Sequence, residues 1–267
     1  MKNKLTLVFA FILLASGIVL AQDHPGVDPE ALIDQILAVD QAQRARINDL
    51  TMDAVLTEGK RGRDTLIVEE RFVKKVYIKY LSDTAWYFEE YLEYYKEGEL
   101  QSDEELAKVA QEKIEKKKKR RSLDISFPPL RPFEPAQREL YKIEYKGIAD
   151  DLIEGFPCYH FKIQAKEKDE QRLNGDYYFE TDGFHLVRME FTPSKRVSNL
   201  MFKMKKLDMS LTFKAYPDGL WLPHVFNIDG KGKIGFLFGV TFAGTEDYSN
   251  PVVNSGLPDE MFQEEKE

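Results

Sequence analysis

The chain has 267 residues with 38 basic and 46 acidic side chains, a formal net charge of −8, and one cysteine, Cys158. The acidic balance argues against a nucleic-acid partner. A lone cysteine excludes an intramolecular disulfide framework, so the fold has to be held by its apolar core.

At the N-terminus Lys2 and Lys4 form a short positive region, Leu5 to Leu20 is an almost unbroken apolar run, and Val19, Leu20 and Ala21 make a small-residue cleavage pattern. This predicts a secretory signal peptide over 1–21, cut between Ala21 and Gln22. The run is marginal for a membrane span and ends without a basic stop-transfer flank. No cysteine stands immediately after the cut, so no lipid anchor is expected. Cleavage would leave 246 of the 267 residues, and the loss of Lys2 and Lys4 would take the charge from −8 to −10. A chain of that length can bury a sizeable core.

Asp28 reads as a helix N-cap with Pro29 at the first helical position. The predicted helix runs to about Asn48, with Leu32, Ile33, Ile36, Leu37 and Val39 on one face. Met52, Ala54 and Leu56 then alternate with polar neighbours, Gly59 to Gly62 predicts a turn, and Asp64 to Arg71 returns as a hairpin. Val76, Ile78 and Tyr80 continue the alternation, and Thr84 to Tyr95, dense in aromatics and glutamates, is read as strand with helix as the alternative. Ser102 with Glu105 makes a capping box opening a solvated helical insertion over 102–122. Pro128, Pro129, Pro132 and Pro135 predict an extended connection.

Beyond the prolines the pattern is almost wholly β. Tyr141 to Tyr145, Tyr159 to Ala165, Asp176 to Glu180 and His185 to Phe191 read as strands, the last two around a turn at Thr181-Asp182-Gly183. Between Phe202 and Phe213 the apolar parity changes at Lys205 and Lys206, which predicts a β-bulge. Pro217-Asp218-Gly219 predicts one turn and Gly230-Lys231-Gly232 another. Ile234, Phe236, Phe238, Val240 and Phe242 then share one face. Strands joined by tight turns imply an antiparallel meander: one long sheet with helices against it.

Four stretches carry a family resemblance: YKIEYKGIADDLIEGFPCYHFKIQAK, GDYYFETDGFHLVRMEFTPSK, LTFKAYPDGLWLPHVFNIDGKG and VTFAGTEDYSN. In their order, over 141–250, the chain resembles the LolA-like outer-membrane lipoprotein-sorting superfamily. The resemblance implies a mainly β (α+β) fold, an open antiparallel half-barrel curved over helices, as a single domain spanning 22–267. It implies a periplasmic carrier or receptor for lipid or lipoprotein acyl chains; a non-enzymatic role without a cofactor is the default expectation from the residues, and a monomer is expected. In dedicated carriers an arginine on an early strand contributes to opening the cavity; Arg63 and Arg71 lie nearby and neither is assigned.

The residues themselves offer little chemistry. Cys158 precedes Tyr159 and His160 in a strand, away from any nucleophile turn. His24, His160, His185 and His224 lack metal-ligand spacing, and Glu89, Glu90 and Glu93 stand beside aromatics with nothing to support general acid–base work. No phosphate-binding glycine motif occurs. The basic run Lys113 to Arg121 is either a solvated helix face or a dock for anionic headgroups. Phe202, Phe213, Leu222, Phe226, Phe236 and Phe238 are the cavity candidates, against the alternative of ordinary core packing. Besides the carrier reading, a non-catalytic envelope interaction or sensor module and, further off, a metal-dependent hydrolase are kept for testing.

Overall fold

The computed structural model describes residues 27–62, 65–81, 85–119, 129–169, 172–196, 202–235 and 238–265. The expected signal peptide and its cleavage site lie outside the described residues, as do Arg63, Pro128 and Phe236.

Helix α1 spans Pro29–Arg44, capped by Asp28, whose carboxylate accepts from the Glu30 N–H at 3.1 Å. It buries Leu32, Ile33 and Ile36, as the helical spacing predicts. It stops four residues short of Asn48, and the reason is tertiary. The Gln43 side chain donates to the Trp221 carbonyl at 2.9 Å and accepts from the Trp221 N–H at 2.7 Å. This pins the last turn to a distant strand, and the chain then bends through 45–48 to bury Ile47 and Leu50.

Strands β1 (Asp49–Arg61), β2 (Leu66–Tyr80), β3 (Ala85–Lys96) and the two-residue β4 (Glu99–Leu100) form a first meander. The first turn falls at 62–65, where the Gly62 N–H donates to the Thr65 carbonyl at 2.9 Å, rather than from Gly59. Gly59 lies inside β1 at a register slip. A Cβ there would come within 1.9 Å of the Ile67 carbonyl oxygen, so this close strand approach requires glycine.

Helix α2 (Asp103–Lys119) follows, with Ser102 Oγ accepting from the Glu105 N–H at 3.4 Å. It is less solvated than its composition predicts. Leu106, Val109, Ala110, Lys113 and Ile114 are half-buried, and the helix packs on β3. Lys113 pairs with Glu58 and sits 4.3 Å from the centroid of the Phe72 ring. Beyond it, the expected extended proline connection is instead a 3-10 turn, Arg131–Phe133, followed by the short helix α3, Pro135–Arg138. Proline fits both because its fixed φ and missing N–H suit the first turn of a helix. The turn drives Phe133, fully buried, into edge-to-face contact with Phe161, Tyr177 and Phe179.

The second meander is β5 (Tyr141–Ile148), β6 (Cys158–Ala165), β7 (Leu173–Glu180), β8 (Leu186–Pro193), β9 (Phe202–Ala215), β10 (Trp221–Ile234) and β11 (Phe238–Val253). Strand β11 pairs with β1 from Leu50↔Val253 to Gly59↔Ala243, joining the meanders into one eleven-stranded antiparallel sheet with β4 and β5 at its ends. The sheet is open and curved, and α1 lies on its inner face. This is the half-barrel arrangement that the LolA-like resemblance implies.

The predicted bulge is present: Lys231 pairs with Lys206 and Gly232 with Met204, leaving Lys205 as the extra residue. The expected turn at Gly230-Lys231-Gly232 is not. Strand β10 runs straight through it, and the chain reverses only after Ile234, with Gly235 at φ 59°. The two glycines serve packing. A Cβ on Gly230 would meet the Phe242 ring at 2.0 Å, and one on Gly232 the Phe202 ring at 2.8 Å. Missing side chains on β10 let aromatic rings from both neighbouring strands lie across it.

The larger core cluster joins α1, Leu130, Phe133 and β6 to β10; the smaller joins Ile47, β1, β2 and Leu220 with Leu222. Asp49, almost fully buried, ties the C-terminal segment across β1. Its carboxylate accepts from the Ser255 N–H (2.7 Å) and hydroxyl (2.9 Å) and the Gly256 N–H (3.0 Å).

Candidate ligand-binding site

A cavity of about 50 Å³ opens where the C-terminal half of α1 meets the inner face of the sheet and the loop at Pro129 and Leu130. Val39 and Ile47 line one wall, Leu186, Phe213 and Leu222 the floor, and Trp221 with His185 one end. Asp40, Gln43, Arg44 and Tyr80 supply its polar groups.

Those polar groups are largely committed to one another. Asp40 pairs with Arg44 at 2.5 Å; burial raises its carboxyl pKa against the opposing pull of that guanidinium. Gln43 is held by the Trp221 backbone. His185 stacks on Trp221, centroids 5.4 Å apart at 15°, and burial lowers its pKa, so its ring favours the neutral form at pH 7. Burial likewise raises Tyr80 and keeps it a phenol. The site therefore presents apolar walls, one internally neutralised ion pair and uncharged aromatic groups.

Of the residues singled out from sequence, Phe213 and Leu222 line this cavity. Phe226 is half-buried and packs against the larger core. Phe202 begins β9 opposite Ile234, and Phe238 is 72 % exposed at the end of the β10–β11 hairpin. Phe236 lies outside the described residues. The α1 contribution was missed by sequence reasoning, although Val39 already stood on the apolar face of the helix.

A second concentration of chemistry lies beneath the other half of the sheet. Lys74 is 1 % exposed and pairs with Glu246 at 2.7 Å and with Glu89. Glu89 also accepts from the Tyr87 hydroxyl at 2.6 Å and the Tyr91 hydroxyl at 2.9 Å. Burial alone would lower the Lys74 pKa, but the carboxylates of Glu246 and Glu89 more than offset it and hold the ammonium charged. Burial, reinforced by the same carboxylates, pushes the Tyr87, Tyr91 and Tyr248 phenols far up, so they act as donors. Ala54 lies cross-strand between Lys74 and Tyr248, and its small side chain leaves the lysine room. A signal was present in the sequence: Phe72, Lys74, Val76 and Ile78 share one parity, which places a lysine on the buried face.

Of the three glutamates, only Glu89 is buried. Glu90 accepts from Tyr77 and Glu93 from Tyr95, both exposed. Arg71 lies 5.0 Å over the Tyr95 ring. Cys158 is fully buried in the larger core, and burial pushes its thiol up to about 12, which leaves no thiolate nucleophile at neutral pH. His160 bonds Asp176 at 2.7 Å, and His224 Nδ1 lies 3.4 Å from the Tyr248 carbonyl. Among the described residues no group of three His, Cys, Asp or Glu side chains comes together around a point where a metal would sit.

No protein-family model matches the chain, and no curated protein matches its sequence. Solved structures are similar to it in shape. One is a domain from Vibrio parahaemolyticus provisionally described as an outer membrane lipoprotein-sorting protein, at 12 % identity and TM-score 0.45, covering 87 % of this chain and 97 % of that one. Another is a DUF1329 family protein from Desulfovibrio piger, at 15 % identity and TM-score 0.46, covering 88 % and 98 %. A third is a LolA superfamily protein from Nitrosomonas europaea, at 10 % identity and TM-score 0.36, covering 89 % and 98 %.

Proposed function

We propose that this chain is a non-catalytic carrier or receptor of the periplasm that seats an apolar chain of the acyl class between α1 and the inner face of the sheet. The observation that carries this reading is the cavity under α1. Its floor and walls are apolar, its charged pair is self-neutralised, and the loop at Pro129 and Leu130 lines it together with the helix. Burial of apolar ligand surface there, at about 25 cal/mol per Å², would supply the affinity.

At about 50 Å³ the cavity is closed to such a ligand, because ligand sites usually hold about 300–1,000 Å³. Loading therefore requires α1 and the Pro129–Leu130 loop to move off the floor. A chain released by such a motion exchanges one apolar cover for another, which keeps the cost of opening low.

The test is titration of the delipidated full chain with a fluorescent fatty acid. Saturable one-to-one binding is expected. Val39→Phe, which adds volume from the half-buried helix face without touching the deepest core, should weaken it at least tenfold with little change in Tm. Absence of saturable binding, or binding indifferent to Val39→Phe, would remove the acyl-carrier reading.

A further inference from the structure

The end of the sheet where β1 turns into β2 and β10 into β11 carries a group of exposed apolar side chains. Ile67 and Val68 are 57 % and 47 % exposed, and Ile234 and Phe238 are 48 % and 72 % exposed. Phe202, Ile234 and Phe238 stand directly opposite one another on three neighbouring strands, so they form an apolar row across the tip. The row continues the inner face: Val240 and Phe242 follow at the same parity, and Phe242 packs against the core. Beyond Ala243, the last β11 residue paired with β1, the hairpin projects five residues to Phe238, about 16 Å at strand rise.

The opposite face of the same hairpin is basic. Lys203 pairs with Lys233 and Lys206 with Lys231 across β9 and β10. Among the described residues, acidic side chains at this end are already paired: Asp229 holds Arg61 at 2.7 Å, Glu69 holds Lys60 at 2.5 Å and Asp208 holds Lys206 at 2.5 Å. Among the described residues no ion pair forms with Lys203, Lys205, Lys231 or Lys233. A chain of net charge −8 thus concentrates unneutralised cations beside Phe238, the most exposed aromatic side chain among the described residues.

From this juxtaposition we propose that the β10–β11 tip, with the neighbouring β1–β2 tip, is a docking surface for an anionic lipid bilayer. Ile234 and Phe238 enter the headgroup–acyl boundary, where an aromatic ring is favoured. Lys203, Lys205, Lys231 and Lys233 meet the anionic headgroups, each adding about fivefold to partitioning. An apolar row alone would fit any hydrophobic partner. The basic face beside it selects a negatively charged surface, and the hairpin extends beyond its pairing with β1 toward that surface. The proposal stands whether or not the cavity under α1 takes an acyl chain.

The experiment is co-sedimentation of the full chain with phosphatidylglycerol-containing vesicles and with neutral phosphatidylcholine vesicles, at low and high salt. Salt-sensitive binding to the anionic vesicles alone is expected. Ile234→Ser with Phe238→Ser should reduce it about tenfold or more, and Lys203→Glu with Lys233→Glu at least as much, with Tm unchanged in both. Failure to bind anionic vesicles would overturn the proposal. So would binding that survives both double variants, which would place it on another surface such as the basic run from Lys113. Concentration-dependent self-association lost in the serine variant, without any vesicle binding, would assign the tip to a second copy of the chain instead.

Discussion

Replacing Lys74 by methionine tests the buried ionic cluster most directly. The substitution keeps the length and apolar stem of the side chain but removes the only cation among Lys74, Glu89 and Glu246. Lys74 is 1 % exposed, Glu89 5 % and Glu246 9 %, so solvent does little to screen the carboxylates left behind. Removing one partner of a buried ion pair costs about 3–5 kcal/mol, mostly from the charge stranded by it. That is a large part of the 5–15 kcal/mol available to a typical domain, so the variant should unfold at markedly lower urea.

The pH dependence separates stranded charge from lost packing. In the native protein Lys74 has a raised pKa, so its contribution is fully present below the unfolded value of about 10.4 and disappears only as pH rises through the folded one. The titration of the lysine itself therefore adds no pH dependence near neutrality. In Lys74→Met the negative charge left without its cation is buried, and burial disfavours charge, so the deficit should shrink as pH falls from about 7.5 to about 5.5. Urea unfolding followed by the fluorescence of Trp86 and Trp221 measures both. A loss below about 1 kcal/mol, or a deficit that does not change with pH, would refute the stranded-charge account.

Phe133→Ala should cost about 3–5 kcal/mol, the range for a packed core phenylalanine, because its ring is fully buried against Phe161, Tyr177 and Phe179. Phe238→Ala, at an exposed tip, should stay within about 0.5 kcal/mol; thermal melts of the two variants compare them. Asp49 supplies an acid-sensitive step. Burial pushes its carboxyl up, but hydrogen bonds from Ser255, Gly256 and Leu257 outweigh this and lower its pKa. Its stabilisation is therefore present above the unfolded pKa of about 3.9 and lost as pH falls through the folded value. Asp49→Ala should remove that part of the acid sensitivity, read from stability profiles between about pH 5 and pH 2.

Much of the architecture was legible in local pattern. Asp28-Pro29 marked the start of α1, the spacing of Leu32, Ile33 and Ile36 marked its buried face, and the parity change at Lys205 located a bulge that the register contains. Each of these signals is written within a few residues, where capping, helical period and strand alternation act. Signals read one element at a time misled where distant packing decides. Gly230 and Gly232 looked like a turn because the Phe242 and Phe202 rings that require them belong to other strands. The end of α1 was overrun because Gln43 is claimed by Trp221, 178 positions away.

The sequence by itself determined the strand-rich meander, the amphipathic helix and the absence of a disulfide scaffold, since these follow from composition and short-range periodicity. Only the tertiary structure decided that β11 returns to β1, that Lys74 meets Glu89 and Glu246, and that Phe213 and Leu222 share a cavity under α1 while Phe238 stands exposed. Alternation assigns a side chain to a face, but which part of that face is covered depends on sheet register, curvature and the docking of segments remote in the chain.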